Sequence, residues 1–205
     1  MRRTVSALER AKGVEITVID NDSTHEPTVE YLKASPHNVV WAKANYGPHA
    51  PWHLGLLPEH GPFIVTDPDV MPVPECPTDW PAQLLELLAR HQHIIKAGLS
   101  LRIDNIPDCY FLKDHVRRWE SQFWIDAIET WENGVTVYRA SIDTTLAVYR
   151  DRRLDGYDPA VRIGWPYSAE HLAWYVDSGN LTAEEVYYRE HCDKGIATWR
   201  YSETH

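Results

Sequence analysis

Short β-branched runs alternate with amphipathic stretches over roughly the first seventy residues, and this alternation limits the fold more than any other feature. Residues 14–19 (Val-Glu-Ile-Thr-Val-Ile) read as a strand, 39–41 as a second and 63–65 as a third. Between them, residues 26–34 carry Pro27 in a first turn with Val29 and Leu32 facing inward, and residues 50–57 suggest a short helix. Residues 4–12 place Val5, Leu8 and Ala11 at a helical spacing and stop at Gly13. A strand–helix–strand order of this kind predicts a parallel α/β sheet.

Such sheets bind ligands at the carboxyl ends of their strands. Two of the three runs end in clustered oxygen-bearing side chains: Asp20-Asn21-Asp22-Ser23-Thr24 after the first, and Thr66-Asp67-Pro68-Asp69 after the third. Asp67 and Asp69 form a hard oxygen site suited to Mg²⁺ or Mn²⁺ held with a diphosphate, and Pro68 restricts the backbone between them. Asp-x-Asp after a strand is also an ordinary turn sequence.

The 205-residue chain suits a single domain, 1–205, with residues 1–70 and 71–205 as its two halves. Lys and Arg number 20 against 30 Asp and Glu, a net charge of −10 that argues against a large nucleic-acid footprint. Three cysteines in no Cys-x-x-Cys pattern fit a reduced, cytoplasmic chain, and no apolar run reaches membrane length. Nine Trp and eleven Tyr against three Phe suit a wet cleft that holds sugars or bases, or plain core and rim packing. Glycine-rich phosphate loops and a Gly-x-Ser-x-Gly elbow are absent from the sequence.

Beyond Asp69 a proline-stiffened connector leads to a helix over 78–91, in which Leu84, Leu87, Leu88 and His91 share a face. Residues 94–102 read as a strand, 111–130 as one long helix ending at Gly134, and 135–139 and 144–149 as strands that make a small antiparallel addition. Residues 164–175 read as irregular, and Thr182-Ala183-Glu184-Glu185 as a capping box that opens a last helix.

Three of these elements, in this order, resemble nucleotide-sugar glycosyltransferases of the GT-A fold, particularly the family-2-like ones. They are the strand ending in Asp20-Asn21-Asp22-Ser23, the Asn45-Tyr46-Gly47 loop and Thr66-Asp67-Pro68-Asp69. Residues 140–144 (Ala-Ser-Ile-Asp-Thr) are similar to that fold's loop near donor and acceptor. Ser168-Ala169-Glu170-His171-Leu172 stands where the family carries its Glu-Asp motif, with His171 replacing the Asp. The resemblance implies a GT-A-like, Rossmann-like sheet, mostly parallel and flanked by helices, with its first strand missing from this chain. It also implies a nucleoside-diphosphate sugar donor, contacted by Asp20, Asn21, Ser23, Asn45, Gly47 and Asp67.

On this reading Asp67 and Asp69 hold Mn²⁺ or Mg²⁺, His171 is the candidate third ligand, and Asp143 and Glu170 are the candidate bases for the acceptor hydroxyl. Trp165, Trp174 and Tyr175 are candidate acceptor platforms. The acceptor (glycan, lipid, protein or modified base), the stereochemistry and the oligomeric state stay open. Each residue also has a plainer reading: His171 as a hydrogen-bonded structural histidine, Asp143 as a turn residue, Glu170 as a solvated charge. Two rival functions remain, a carboxylate-based hydrolase of glycosides or phosphoesters and a non-catalytic nucleotide- or carbohydrate-binding module.

Overall fold

In a computed structural model, residues 1–153 and 159–192 are described. Helix α1 (Arg2–Leu8) precedes strand β1 (Thr17–Asp20), helix α2 (Glu26–Lys33), strand β2 (Asn38–Trp41), helix α3 (Ala50–His53) and strand β3 (Phe63–Val65). Strand β4 (Val70–Pro72), helix α4 (Trp80–Arg90), strand β5 (Lys96–Leu101) and helix α5 (Lys113–Glu120) follow. Then come strands β6 (Ala127–Thr130), β7 (Thr136–Arg139), β8 (Ala147–Tyr149) and β9 (Ala160–His171), and helix α6 (Ala183–His191). No helix of the described residues is long and apolar enough to cross a membrane.

The protein is mixed α/β, but its strands form two sheets. Among the described residues β1 and β2 pair in parallel by themselves, with Thr17 opposite Asn38 and Asp20 opposite Trp41. The larger, seven-stranded sheet runs β3-β8-β5-β9-β7-β6, with β4 added along β9. Within it β5 and β9 are parallel, and the other pairs are antiparallel. The antiparallel component is therefore larger than the sequence suggests, because β8 inserts between β3 and β5.

The core lies where α4 covers the larger sheet. Leu84, Leu87 and Leu88 of α4 join Ala97, Leu99 and Leu101 of β5 and Val161, Ile163 and Ala169 of β9 in one buried cluster. That matches the spacing of leucines in the sequence, which puts them on one face of a helix. Gly98 permits the close approach of β8: a Cβ there would lie 2.8 Å from both Ile142 Cδ1 and the Leu146 carbonyl oxygen.

Two expectations are corrected. The long helix over 111–130 ends at Glu120, passes through a 3₁₀ turn at Ser121–Trp124 and becomes β6. The four-residue spacing of Trp119, Phe123 and Ala127 continues across that change, but Trp119 is 48 % exposed and Ala127 is also exposed, so the spacing marks no buried helical face. Tertiary contacts fix the strand instead: Glu129 accepts from Arg90 Nη1 at 2.5 Å and pairs with His91 Nε2 at 3.0 Å. Of the segment expected to be irregular, residues 164–171 belong to β9, at twelve residues the longest strand, and Leu172–Tyr175 form a 3₁₀ turn. The pairing of β9 with β5 slips from Leu99–Ile163 to Ser100–Ser168. Gly164, Trp165, Pro166 and Tyr167 lie in the slip, where proline removes no ladder hydrogen bond.

Candidate functional site

Between the two sheets opens a cleft of about 2260 Å³, lined by residues of β1, by β3 and the residues after it, and by the 141–145 loop. On the larger sheet its acidic wall begins at the carboxyl end of β3. Asp67 Oδ2 accepts a 3.0 Å hydrogen bond from Thr144 Oγ1. Burial pushes the Asp67 carboxyl up to about 7, and the neighbouring charges of Asp69 and Asp143 add to this, while the Thr144 bond opposes it. Three carboxylates thus crowd one end of the cleft, and Asp143 is the exposed member.

The β4–β9 ladder brings the next group in. It sets His171 opposite Val70, one residue from Asp69. His171 Nδ1 stands 3.8 Å from Asp69 Oδ2, and the ring stacks on Trp174 with centroids 4.9 Å apart and planes 11° apart. The Leu172 amide donates to the Asp69 carbonyl at 2.7 Å, which locks this corner.

Adjacent residues of a strand face opposite sides, so the ladder that turns His171 toward the cleft turns Glu170 away. Glu170 does not line the cleft; it accepts from Asn105 Nδ2 at 2.9 Å. Of the two candidate bases, only Asp143 lies beside Asp67. Trp165 is also outside the cleft, under the Arg102 guanidinium at 5.0 Å. Trp174 is 1 % exposed and packs against His171, which leaves no ring face for a sugar. Tyr175 lines the cleft, and its hydroxyl donates to Asn105 Oδ1 at 2.6 Å.

The smaller sheet contributes the facing wall. Asp20 is buried, and its carboxylate accepts from the Ser23 amide at 3.2 and 3.3 Å, closing the turn after β1. Asn21 bridges to the next loop: its Nδ2 donates to the Gly47 carbonyl at 2.9 Å, and its Oδ1 accepts from the Tyr46 amide at 3.4 Å. Asn45 Oδ1 accepts from the Gly47 amide at 2.9 Å. Gly47 has φ +66°, and Asp22 takes a left-handed φ of 66°, a conformation its short polar side chain tolerates. The side chains of Asp20, Asn21 and Asn45 thus build the wall, with their polar atoms turned to backbone.

Sequence reasoning missed the support of the acidic corner. Arg162 of β9 is 4 % exposed and pairs with Glu120, itself 2 % exposed. Its Nε and Nη2 both donate to the Ser141 carbonyl, at 2.9 and 2.6 Å, and its guanidinium carbon lies 4.3 Å from the Phe123 ring centroid. Burial lowers the Arg162 pKa and raises that of Glu120, each offset in part by the partner's charge. Arg162 therefore anchors the loop that presents Asp143 and Thr144 to Asp67. The available signal was an arginine inside the apolar run Ala160-Val161-Arg162-Ile163, since a charge on a buried strand needs a partner.

The chemistry of this corner fits a hard divalent cation: clustered carboxylates, of which Asp67 has its pKa raised to about 7 by burial first and by its acidic neighbours second. Among the described residues, no three His, Cys, Asp or Glu side chains form a ready metal cage. Fold and site together define a mixed α/β protein with an acidic cleft between two sheets. No family model, curated protein or solved structure matches the chain.

Proposed function

We propose that the protein is a metal-dependent glycosyltransferase that moves a sugar from a nucleoside-diphosphate sugar to an acceptor hydroxyl. The observation that carries the reading is the gathering of Asp67, Asp69 and Asp143 at the carboxyl end of β3, facing a cleft whose other wall is the Asp20–Asn21 turn. Glycosyl transfer builds negative charge on the leaving diphosphate, and a divalent ion beside Asp67 and Asp69 would offset that charge. Asp67 and Asp69 would hold the ion, with His171, whose Nδ1 lies 3.8 Å from Asp69 Oδ2, beside them as the candidate third ligand. Asp143 is exposed and next to the cluster, and on this reading it would take the proton of the acceptor hydroxyl. Glu170 has no part in this scheme. The wall of Asp20, Asn21 and Asn45 would receive the nucleotide through the surface those side chains shape.

The test is thermal unfolding with Mn²⁺ and a panel of nucleoside diphosphates, beside a transfer assay. A ligand at about a hundred times its dissociation constant adds roughly 2.7 kcal/mol, which moves the midpoint by several degrees. The expected result is a shift that needs both the metal and one nucleotide and disappears in Asp67→Ala/Asp69→Ala. Undiminished transfer by that double variant sinks the reading. A nucleotide-dependent shift without turnover under any metal favours a non-catalytic binding module.

A further inference from the structure

Helix α5 and the 3₁₀ turn after it carry two aromatic rings that the fold leaves open to the cleft. Trp119 and Phe123 both line it, as do Ser141 and Asp143. Their four-residue spacing puts both rings on one side of the segment, while Glu120 between them turns inward to pair with Arg162. The rings meet edge to face, with centroids 6.2 Å apart and planes 78° apart, and Trp119 keeps 48 % of its surface exposed. Single exposed apolar residues are common on protein surfaces, but this one stands in a cleft beside a second ring and a carboxylate. Arg162 joins the rings to the acidic corner. Its guanidinium carbon lies 4.3 Å from the Phe123 ring centroid, and its Nε and Nη2 donate to the carbonyl of Ser141, two residues before Asp143. The Asp143 carboxylate is near enough to favour the charged form of Arg162. One buried side chain therefore holds the ring pair and the Asp143 loop together.

We propose that Trp119 and Phe123 form the acceptor subsite, and that the acceptor is a neutral saccharide stacked on Trp119 with a hydroxyl turned to Asp143. The inference rests on the transferase reading and adds to it the class of acceptor. Three features select that class. The face of an aromatic ring is negative, so it attracts the polarised C–H groups along one side of a pyranose ring. Two rings at 78° make a corner, which suits the puckered ring of a sugar, whereas a flat nucleobase stacks best between parallel faces. The carboxylates of Asp67, Asp69 and Asp143 repel an acidic or phosphorylated acceptor. An acyl chain would need a continuous apolar track, but Glu120, Ser141 and Asp143 line the cleft beside the rings. Trp165 lies outside the cleft and Trp174 is buried against His171, so neither competes for the role.

The test compares the parent with Trp119→Ala and Trp119→Phe by saturation-transfer NMR. The probes are neutral methyl glycosides and disaccharides, the matching uronic acids and adenosine, each with and without Mn²⁺ and a nucleoside diphosphate. Thermal unfolding with the metal and nucleotides is run on the same three proteins. The parent is expected to bind at least one neutral saccharide, with transfer strongest to the C–H protons of one ring face. Trp119→Ala should weaken that affinity by roughly tenfold or more, and Trp119→Phe by less. All three proteins should keep the same melting midpoint and the same metal–nucleotide shift, which separates loss of the subsite from loss of the fold or of the donor site. Undiminished saccharide affinity in Trp119→Ala overturns the proposal. So does a preference for a uronic acid or adenosine, or a parent that binds no saccharide under any of these conditions. Trp119-dependent saccharide binding with no metal–nucleotide shift in the parent keeps the subsite and sinks the transferase reading instead.

Discussion

The two sheets flank the same cleft but are held together by different forces. Every residue of β5 is buried, and the strand is gripped by α4 on one side and by β8 and β9 along its edges. In β1 only Asp20 is buried, and in β2 no residue is. The smaller sheet depends on polar ties between loops: Asn21 to Gly47, Asn45 to Gly47, and Thr24 Oγ1 to Tyr187 Oη of α6 at 2.8 Å. Side-chain packing makes a region cooperative with the global fold, whereas loop hydrogen bonds leave it free to open locally. The acidic corner belongs to the first kind of structure and the facing wall to the second.

Arg162→Met attacks the well-packed side and is expected to have the largest effect. It leaves Glu120 buried without its cation, at a cost of about 3–5 kcal/mol, read by denaturant unfolding. Arg162→Met with Glu120→Leu removes both charges, and it should recover much of that stability while the Asp143 loop stays unanchored. A stable double variant with full activity would show that the loop needs no anchor.

Asp67→Asn probes the electrostatics of the corner. The native carboxyl titrates near 7, above its ordinary value of 3.8, so the folded state holds the proton more tightly than the unfolded one. Stability is then lost as pH rises from about 4 to 7, and the penalty is complete above that window. Asparagine removes the penalty and can still accept from Thr144. The variant is expected to be more stable than the parent at pH 8 by roughly 1–3 kcal/mol and no more stable at pH 4, measured as melting midpoints. A difference that does not vary with pH would mean that Asp67 is not strained.

Gly98→Ala tests the close packing of β5 against β8. Its Cβ would meet a backbone oxygen at 2.8 Å, and overpacking of this kind costs about 1–3 kcal/mol by urea denaturation. The smallest effect is expected from Tyr187→Phe, which removes one exposed tie to the smaller sheet. Global stability should change by less than about 1 kcal/mol, while exchange at residues 17–20 speeds up. Equal protection of β1 and β5 in the parent protein would erase the contrast between the sheets.

The sequence reveals the strands and helices whose local signal agrees with their tertiary setting. β1, β2 and β3 are β-branched or aromatic runs, α4 has its leucines on one face, and α6 opens with Thr182 and Glu185 bonded reciprocally at 3.3 and 2.7 Å. β9 was hidden because Gly164 and Pro166 interrupt its pattern, and their places in the slip are visible only in the pairing. α5 was overextended because helical spacing persists by chance into β6. In the site, Asp67 and Asp69 are legible from a strand ending in carboxylates. The nearness of His171 to Asp69 is not, since it depends on how β4 and β9 register. Nor is the separation of Glu170 from His171, which follows once the segment is a strand and not a loop.

β9 also works as a splice between two lengths of ladder. Arg162 on one side of the slip steadies the Asp143 loop, and His171 on the other stands beside Asp69. The four residues between take up slack, so the two halves are phased independently of each other. A residue gained or lost within the slip can be absorbed there with both ends still facing their partners. The same change between Ser168 and His171 would invert the strand's faces, pointing Glu170 at the carboxylates and His171 away. The position of an insertion, more than its size, thus determines whether this strand still joins its two ends correctly.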